Sequence, residues 1–166
     1  EGKGISKASN EVEPTDITEI PYKEPNIAQQ EALEILETDR ELGVERGLVV
    51  MATGLGKTFL AALDAKSFDP KRLLFVAHRE EILKQSMKSF RKFMPNKSYG
   101  FYQGEEKDSG SDFIFASIQT LGKKGELEKF NKEDFDYIVI DEFHHVAARS
   151  YRKLVEYFNP KFFLGL

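Results

Sequence analysis

Short apolar runs separated by amphipathic segments recur along the chain, and they predict strands that alternate with helices. Runs such as Leu74-Phe75-Val76-Ala77 are typical of parallel strands that are buried on both faces of a sheet. The predicted strands are 48–51, 72–77, 113–117 and 137–140, with a weaker pattern at 99–102 and a final apolar run at 162–166 that indicates a further strand.

The segments between these runs carry apolar residues at helical spacing. Asn26 can cap a helix together with Gln29, three residues on, and Gly43 can end it. Further helices are predicted from residue 59 onward, at 80–94 and at 151–158. Strands alternating with helices predict an α/β fold with a doubly wound, mostly parallel sheet and right-handed crossovers.

Composition narrows the class of protein. The 166 residues fit about one domain, and 40% apolar with 31% charged residues is typical of soluble globular proteins. Residues 1–20 are polar and aperiodic, which indicates a tail or linker before a domain at 21–166. No apolar run approaches the roughly 20 residues of a membrane helix, so no membrane partner is expected. The absence of cysteine excludes disulfides and favours a cytoplasmic protein.

The stretch 51–58, Met-Ala-Thr-Gly-Leu-Gly-Lys-Thr, joins the first predicted strand to a helix. Its glycines let backbone N–H groups converge on one anion, and the helix start adds partial positive charge. In such a loop Lys57 reaches the β- and γ-phosphates of ATP, and the Thr58 hydroxyl binds Mg²⁺. The residues predicted to hold the nucleotide are Thr53, Gly54, Leu55, Gly56, Lys57, Thr58 and Phe59. The alternative is a turn that contains two glycines by chance.

A second polar element follows the predicted strand 137–140. Asp141 and Glu142 would lie at the carboxyl edge of the sheet, where open α/β folds bind ligands. There Asp141 can hold Mg²⁺ opposite Thr58, and Glu142 can orient and deprotonate the water that attacks the γ-phosphate. The alternative is that acidic residues simply end a strand. A zinc site at His144 and His145 is disfavoured, because adjacent histidines point apart and cysteine is absent.

Several of these motifs together resemble a known family. Asp141-Glu142-Phe143-His144 resembles the Asp-Glu-x-His box of superfamily 2 helicases and translocases, and 52–58 is similar to their motif I. Residues 74–79 are similar to motif Ia, and 115–121 to the motif after it. The run from Asp141 to Leu166 resembles bacterial helicases related to the type III restriction-enzyme helicase subunit. The resemblance covers about residues 22–166.

The resemblance implies the first of two RecA-like domains, a P-loop NTPase fold with ATP between the domains and nucleic acid across their tops. It implies that this domain is incomplete and stops just before a Thr-Ala-Thr-Pro motif. The second RecA-like domain of the same polypeptide would supply arginines that stabilise the transferring phosphoryl group. Gln29 is assigned to adenine, and His144 to a link between the nucleotide and the missing motif. The implied catalytic set is Lys57, Asp141, Glu142 and His144.

Nucleic-acid contacts are also implied by the resemblance. The candidates are His78, Arg79, Gln119 and Thr120, which would contact the sugar–phosphate backbone and carry no sequence reading. For Arg79 the alternative is a helix-entry residue paired with Glu80 or Glu81. The basic residues of the helix at 80–94 are interpreted as a solvated face. The net charge of −4 means that any polyanion site must be local.

The function predicted from these features is that of an ATP-dependent DNA helicase or translocase, in restriction or repair. The alternatives are a P-loop ATPase that remodels protein complexes, an RNA helicase, and a binding module that has lost catalysis. The Asp-Glu-x-His box and motif Ia argue against protein remodelling. Intact Lys57, Thr58, Asp141 and Glu142 argue against lost catalysis. The 166 residues alone are expected to hydrolyse ATP weakly or not at all.

Overall fold

The computed structural model of the protein describes residues 24–51, 54–142 and 148–166, with the backbone alone at 54 and 55. The helices are α1 (Ile27–Glu41), α2 (Gly54–Phe68), α3 (Glu80–Phe93), α4 (Ile118–Leu121) and α5 (Arg149–Tyr157). The strands are β1 (Arg46–Leu48), β2 (Leu73–Ala77), β3 (Tyr99–Gln103), β4 (Glu106–Lys107), β5 (Phe113–Ser117), β6 (Tyr137–Ile140) and β7 (Phe162–Gly165).

The described strands form one seven-stranded sheet in the order β1-β7-β6-β2-β5-β3-β4. Neighbouring strands are parallel except β3 and β4, which form an antiparallel hairpin. Most neighbours are not consecutive in sequence, so the connecting helices cross over the sheet. The predicted doubly wound, mostly parallel α/β sheet is therefore confirmed. Its parallel strands all end at the same edge, which we call the carboxyl edge.

Helices cover both faces of the sheet, and each face has its own apolar core. On one face α2 and α3 pack Leu60 and Phe90 against the strands. The Phe75 ring stacks on Phe115 at 5.3 Å and meets Phe90 edge-on at 5.8 Å. On the other face α4 and α5 bury residues that include Leu154. Strands β2 and β6 are buried at every position, which explains their uninterrupted apolar sequences.

The first strand lies earlier in the chain than the apolar pattern indicated. The prediction was 48–51, whereas β1 is Arg46–Leu48, so the predicted boundaries were wrong. The Val49 amide still donates to the Gly165 carbonyl of β7 at 2.9 Å. The next residue, Val50, is 85% exposed and has left the sheet. Part of the apolar run therefore belongs to the approach to the glycine-rich loop.

The capping predicted for the first helix is confirmed. Asn26 Oδ1 accepts a hydrogen bond from the Gln29 amide at 2.8 Å, and Gln29 Oε1 accepts one from the Asn26 amide at 3.0 Å. After α1 ends, Gly43 adopts a φ of +88°, the left-handed conformation that favours glycine. No described helix combines the length with the apolar character that a membrane span requires.

A buried ion pair joins α1 to α2 at the opposite edge of the sheet. The Arg40 guanidinium donates to both carboxylate oxygens of Asp64, at 2.7 and 2.8 Å. Their side chains are 13% and 1% exposed. The Tyr137 hydroxyl donates to the same carboxylate at 2.5 Å, and the guanidinium lies 4.8 Å from the centre of the Phe162 ring. These contacts fix both helices against β6 and β7.

A second buried carboxylate anchors the β3–β4 hairpin. Glu126 accepts hydrogen bonds from the Tyr102 hydroxyl at 2.5 Å, from Lys107 at 2.9 Å and from Lys129 at 3.1 Å. The bonds from Tyr102 and from the two lysines lower the pKa of Glu126 to about 2. The hairpin is therefore held on the segment that follows α4.

We expect Glu126→Gln to reduce the free energy of unfolding by about 1–3 kcal/mol near neutral pH, because it removes charge-assisted hydrogen bonds. The stabilisation by the native carboxylate is fully present above its ordinary pKa of 4.5 and is lost as the pH falls toward about 2. Urea unfolding at several pH values should show the difference between variant and wild type closing over that range. Glu128→Gln, at an exposed neighbouring position, is the control. A difference that does not depend on pH would contradict this assignment.

Candidate functional site

The glycine-rich loop connects β1 to α2 at the carboxyl edge. Helix α2 begins at Gly54, so Lys57 and Thr58 lie in its first turn, and both side chains are partly buried. Backbone N–H groups in the first turn of a helix have no partner within the helix and attract anions. The loop residue Thr53 lies outside the described residues. The Phe59 ring meets Phe93 of α3 edge-on at 5.5 Å and fixes α2 against α3.

Gln29, predicted to read adenine, is buried within the first turn of α1. The Gln29 side-chain oxygen accepts a hydrogen bond from the Asn26 amide in the capping box. The orientation of the Gln29 side chain is therefore set by the start of α1. The assignment to adenine stays a prediction.

The acidic pair follows β6 at the same edge. The Asp141 amide donates to the Val76 carbonyl of β2 at 2.9 Å, which extends the ladder by one residue and fixes the position of Asp141. Glu142 adopts a φ of +56°, a left-handed conformation that costs a non-glycine residue about 1–3 kcal/mol. Such strain is concentrated at functional sites, where the surrounding structure maintains it. His144 and His145 lie outside the described residues.

The sheet brings the loop and the acidic pair to one place. Only β7 separates β1 from β6, and strands two positions apart lie about 10 Å from each other. Strand β7 ends there too, since the Leu166 amide donates to the Ile140 carbonyl at 2.9 Å. The elements that carry Lys57, Thr58, Asp141 and Glu142 therefore lie on either side of the end of β7 at the carboxyl edge, a place that we call the crevice.

Tyr151, which the sequence marked only as part of an apolar helix face, lies close to the acidic pair. Its side chain is 3% exposed, and its hydroxyl has no hydrogen-bond partner among the described residues. Burial, together with the nearby charges of Glu142 and Asp141, raises the pKa of Tyr151 to about 12. The signal available in the sequence was a tyrosine, rather than phenylalanine, at a buried position shortly after two acids.

The residues predicted to contact nucleic acid follow β2 and β5, the next strands along the carboxyl edge. His78 and Arg79 are exposed, and Glu80 pairs with Lys84 at 2.9 Å. Within the described residues Arg79 forms no ion pair with Glu80 or Glu81. The alternative of a helix-entry ion pair is therefore not seen, and Arg79 presents its charge to solvent.

Gln119 and Thr120 make contacts that the sequence did not indicate. Gln119 Nε2 donates to the His78 carbonyl at 2.9 Å and lies 3.0 Å from His78 Nδ1, and Gln119 Oε1 accepts from the Ser117 hydroxyl at 2.7 Å. Thr120 is 4% exposed, and its hydroxyl accepts from the Gly104 amide at 3.0 Å. Burial disfavours a direct contact between the Thr120 side chain and nucleic acid, so we assign it a role in holding the hairpin.

A cleft of about 450 Å³ lies between these residues and the hairpin. His78, Ser117 and Gln119 line one side. The exposed carboxylates of Glu80, Glu105 and Glu106 lie around the rest of it. The end of the carboxyl edge farthest from the glycine-rich loop is therefore acidic.

Comparison with known proteins identifies the family. The family model described as "Type III restriction enzyme, res subunit" matches residues 22–166. The chain belongs to this family. It is 33% identical over 139 residues to a mitochondrial ATP-dependent helicase, irc3, of Schizosaccharomyces pombe, covering 80% of this chain and 23% of that protein. It is 31% identical over 156 residues to the type I restriction enzyme EcoAI endonuclease subunit of Escherichia coli, covering 87% and 19%.

Solved structures of other proteins share the fold. The Type ISP restriction-modification enzyme LlaGI, in complex with a DNA substrate mimic, gives a TM-score of 0.64 at 18% identity over 86% of this chain and 17% of that chain. The SWI2/SNF2 ATPase core of Sulfolobus solfataricus, in complex with dsDNA, gives a TM-score of 0.64 at 21% identity, covering 87% of this chain and 32% of that chain. The RecA-like helicase fold and the helicase family predicted from the motifs are confirmed. The chain spans about a fifth of the curated relatives it matches.

Proposed function

We propose that this res-family domain is the ATP-binding domain of a DNA helicase or translocase, which uses ATP hydrolysis to move along nucleic acid. The observation that carries this proposal is the crevice above β7, which has Lys57 and Thr58 on one side and Asp141 and Glu142 on the other. Its support from related proteins is the family match and the relatives named as ATP-dependent helicases.

The side chains at the crevice fit Mg²⁺ with a triphosphate. Mg²⁺ prefers oxygen ligands and is held by one or two protein groups together with phosphate oxygens. Thr58 and Asp141 offer a hydroxyl and a carboxylate from opposite sides of β7, and both are partly buried. The described residues contain no cluster of three or more histidines or acids that would favour another metal. When bound, Mg²⁺ would neutralise charge on the phosphates.

Lys57 and Glu142 have different roles in the proposed hydrolysis of ATP. The Lys57 ammonium binds β- and γ-phosphate oxygens and stabilises the charge that develops as the terminal bond breaks. Glu142 accepts a proton from the attacking water, whose oxygen bonds to the γ-phosphorus as ADP leaves. Glu142 has the left-handed backbone conformation directly after Asp141, whose amide is bonded to β2 and whose carboxylate would hold the metal.

A second RecA-like domain would complete the site with arginines, which are worth about 10³–10⁵ in rate. The 166 residues alone are therefore expected to bind nucleotide and to hydrolyse it slowly. Turnover experiments require the complete polypeptide that contains this domain. Fast nucleic-acid-stimulated turnover by the 166 residues alone would contradict the need for a second domain.

DNA is the favoured track because relatives include a restriction-enzyme subunit, and solved structures of the same fold contain DNA. An RNA helicase is the second candidate, since a protein of Acanthamoeba polyphaga mimivirus named as an ATP-dependent RNA helicase is 31% identical over 120 residues. ATP hydrolysis measured with DNA, with RNA and with neither separates the two. Hydrolysis that neither nucleic acid stimulates would favour protein remodelling.

We expect Lys57→Ala in the complete polypeptide to lower ATP turnover about 10²–10³-fold, the usual loss for one transition-state donor. The control is Lys66→Ala, an exposed lysine in the last turn of the same helix α2. It should leave turnover unchanged. Turnover that survives loss of the Lys57 amine would overturn the assignment of this loop to phosphate binding.

A further inference from the structure

Basic side chains surround the place where the end of α4 meets the start of α5. The two segments are in direct contact, because a Cβ atom at Gly122 would lie 2.5 Å from Ser150 Oγ. The residues on either side of this contact are exposed and cationic. They form what we call the α4–α5 patch, which consists of Lys123, Lys124, Arg149, Arg152 and Lys153.

The charges of the patch are not neutralised within the described part of the chain. None of its five side chains forms an ion pair there, whereas Lys84 and Lys107 each pair with a glutamate. The buried acid nearest in sequence, Glu126, is already bonded to Tyr102, Lys107 and Lys129. Glu156 lies on the exposed face of α5, one turn beyond Arg152. All five cations of the patch are therefore exposed to solvent without an ion pair among the described residues.

The patch continues the nucleic-acid face on one side only. Lys123 lies two residues beyond the end of α4, in the turn that its amide closes by donating to the Thr120 carbonyl at 3.2 Å. On the other side of Gln119 lies the cleft with the exposed Glu105 and Glu106, whereas its third acid, Glu80, is paired with Lys84. A phosphate backbone is attracted toward the α4–α5 patch and repelled from the hairpin, since both ends are exposed and of opposite sign.

We propose that the α4–α5 patch binds the phosphodiester backbone of the nucleic acid, which runs from Arg79 across α4 and away from the β3–β4 hairpin. This inference rests on the proposed function and deepens it. It adds Lys123, Lys124 and Arg149 as phosphate contacts and gives the path a direction. Because phosphate contacts carry no sequence information, the patch serves movement along any sequence.

The test is the affinity of the 166-residue chain for fluorescein-labelled DNA and RNA oligonucleotides of one sequence, measured by anisotropy over a range of salt concentrations. Lys123→Ala with Lys124→Ala should weaken binding at least about tenfold at low salt, and should reduce the salt slope by about 2. The matched control is Lys88→Ala with Lys92→Ala, two exposed lysines of α3 that change the net charge equally. This control should leave both quantities close to those of wild type.

Two further variants separate the outcomes. Arg149→Gln with Lys153→Gln should weaken binding as the double lysine variant of the patch does. Glu105→Gln with Glu106→Gln should not weaken it. Equal losses in the patch and control variants would mean a general charge effect and would overturn the patch. Normal binding by the patch variants would also overturn the proposed role of the patch. If the wild-type chain binds neither DNA nor RNA, and neither stimulates ATP turnover by the complete polypeptide, the proposed function itself fails.

Discussion

Glu142→Gln is expected to reduce ATP turnover by about 10²–10⁴-fold, the range for loss of a positioned general base, while ATP binding is retained. The amide keeps the size of the side chain but cannot accept the proton of the attacking water. The comparison should use the complete polypeptide, with turnover measured under saturating nucleic acid. Nucleotide affinity is measured separately by titration with a fluorescent ATP analogue.

The control for this variant is Glu106→Gln, which makes the same chemical change at an exposed position of β4. It should leave turnover and nucleotide affinity as in wild type. If Glu142→Gln hydrolysed ATP at the wild-type rate, the water would have to be activated elsewhere. The strained backbone of Glu142 would then need a different explanation.

Asp64→Ala should lower the free energy of unfolding by about 3–5 kcal/mol, the usual cost of leaving one partner of a buried ion pair. The substitution leaves the Arg40 guanidinium without its carboxylate and takes an acceptor from the Tyr137 hydroxyl. Native domains are stable by only about 5–15 kcal/mol, so the loss should be evident in a urea titration of the 166-residue chain.

Two comparisons identify the cause of that loss. Replacing both charges, as Arg40→Met with Asp64→Leu, should recover much of it, because apolar replacements for buried ion pairs are often tolerated. Lys84→Ala removes an exposed ion pair with Glu80 and should leave the free energy of unfolding close to that of wild type. A double variant as unstable as Asp64→Ala would indicate that packing, rather than the uncompensated charge, is responsible.

The motifs and the strand alternation were sufficient to predict the fold and to place Lys57 and Glu142 at one edge of the sheet. Lys57 and Glu142 lie 85 positions apart in the chain (142 − 57), yet each follows a parallel strand, and parallel strands end at one edge. The local sequence pattern, together with the rule that parallel strands end at one edge, was therefore enough to predict that the two residues lie at the same edge. The strand order, with β7 between β1 and β6, depends on which apolar faces pack together, and the chain order alone does not specify it.

What the sequence did not indicate are contacts between elements that are distant in the chain. The Thr120 hydroxyl is hydrogen-bonded to the Gly104 amide, and the side-chain amide of Gln119 is hydrogen-bonded to His78 and Ser117. Both residue types are also typical of nucleic-acid contacts, so composition alone did not separate the two roles. The buried Tyr151 hydroxyl and the left-handed Glu142 likewise arise from tertiary packing and have no periodic signature.

The end of β2 and the residue that follows it accept hydrogen bonds from both candidate sites. The Val76 carbonyl accepts a hydrogen bond from the backbone amide of Asp141, and the His78 carbonyl accepts one from the side-chain amide of Gln119. These two acceptors are separated by a single residue, so a displacement of that strand tip changes both hydrogen bonds together. If the proposed function holds, a change at Gln119 on nucleic-acid binding should therefore alter the position of Asp141 through a strand end only about 7 Å long.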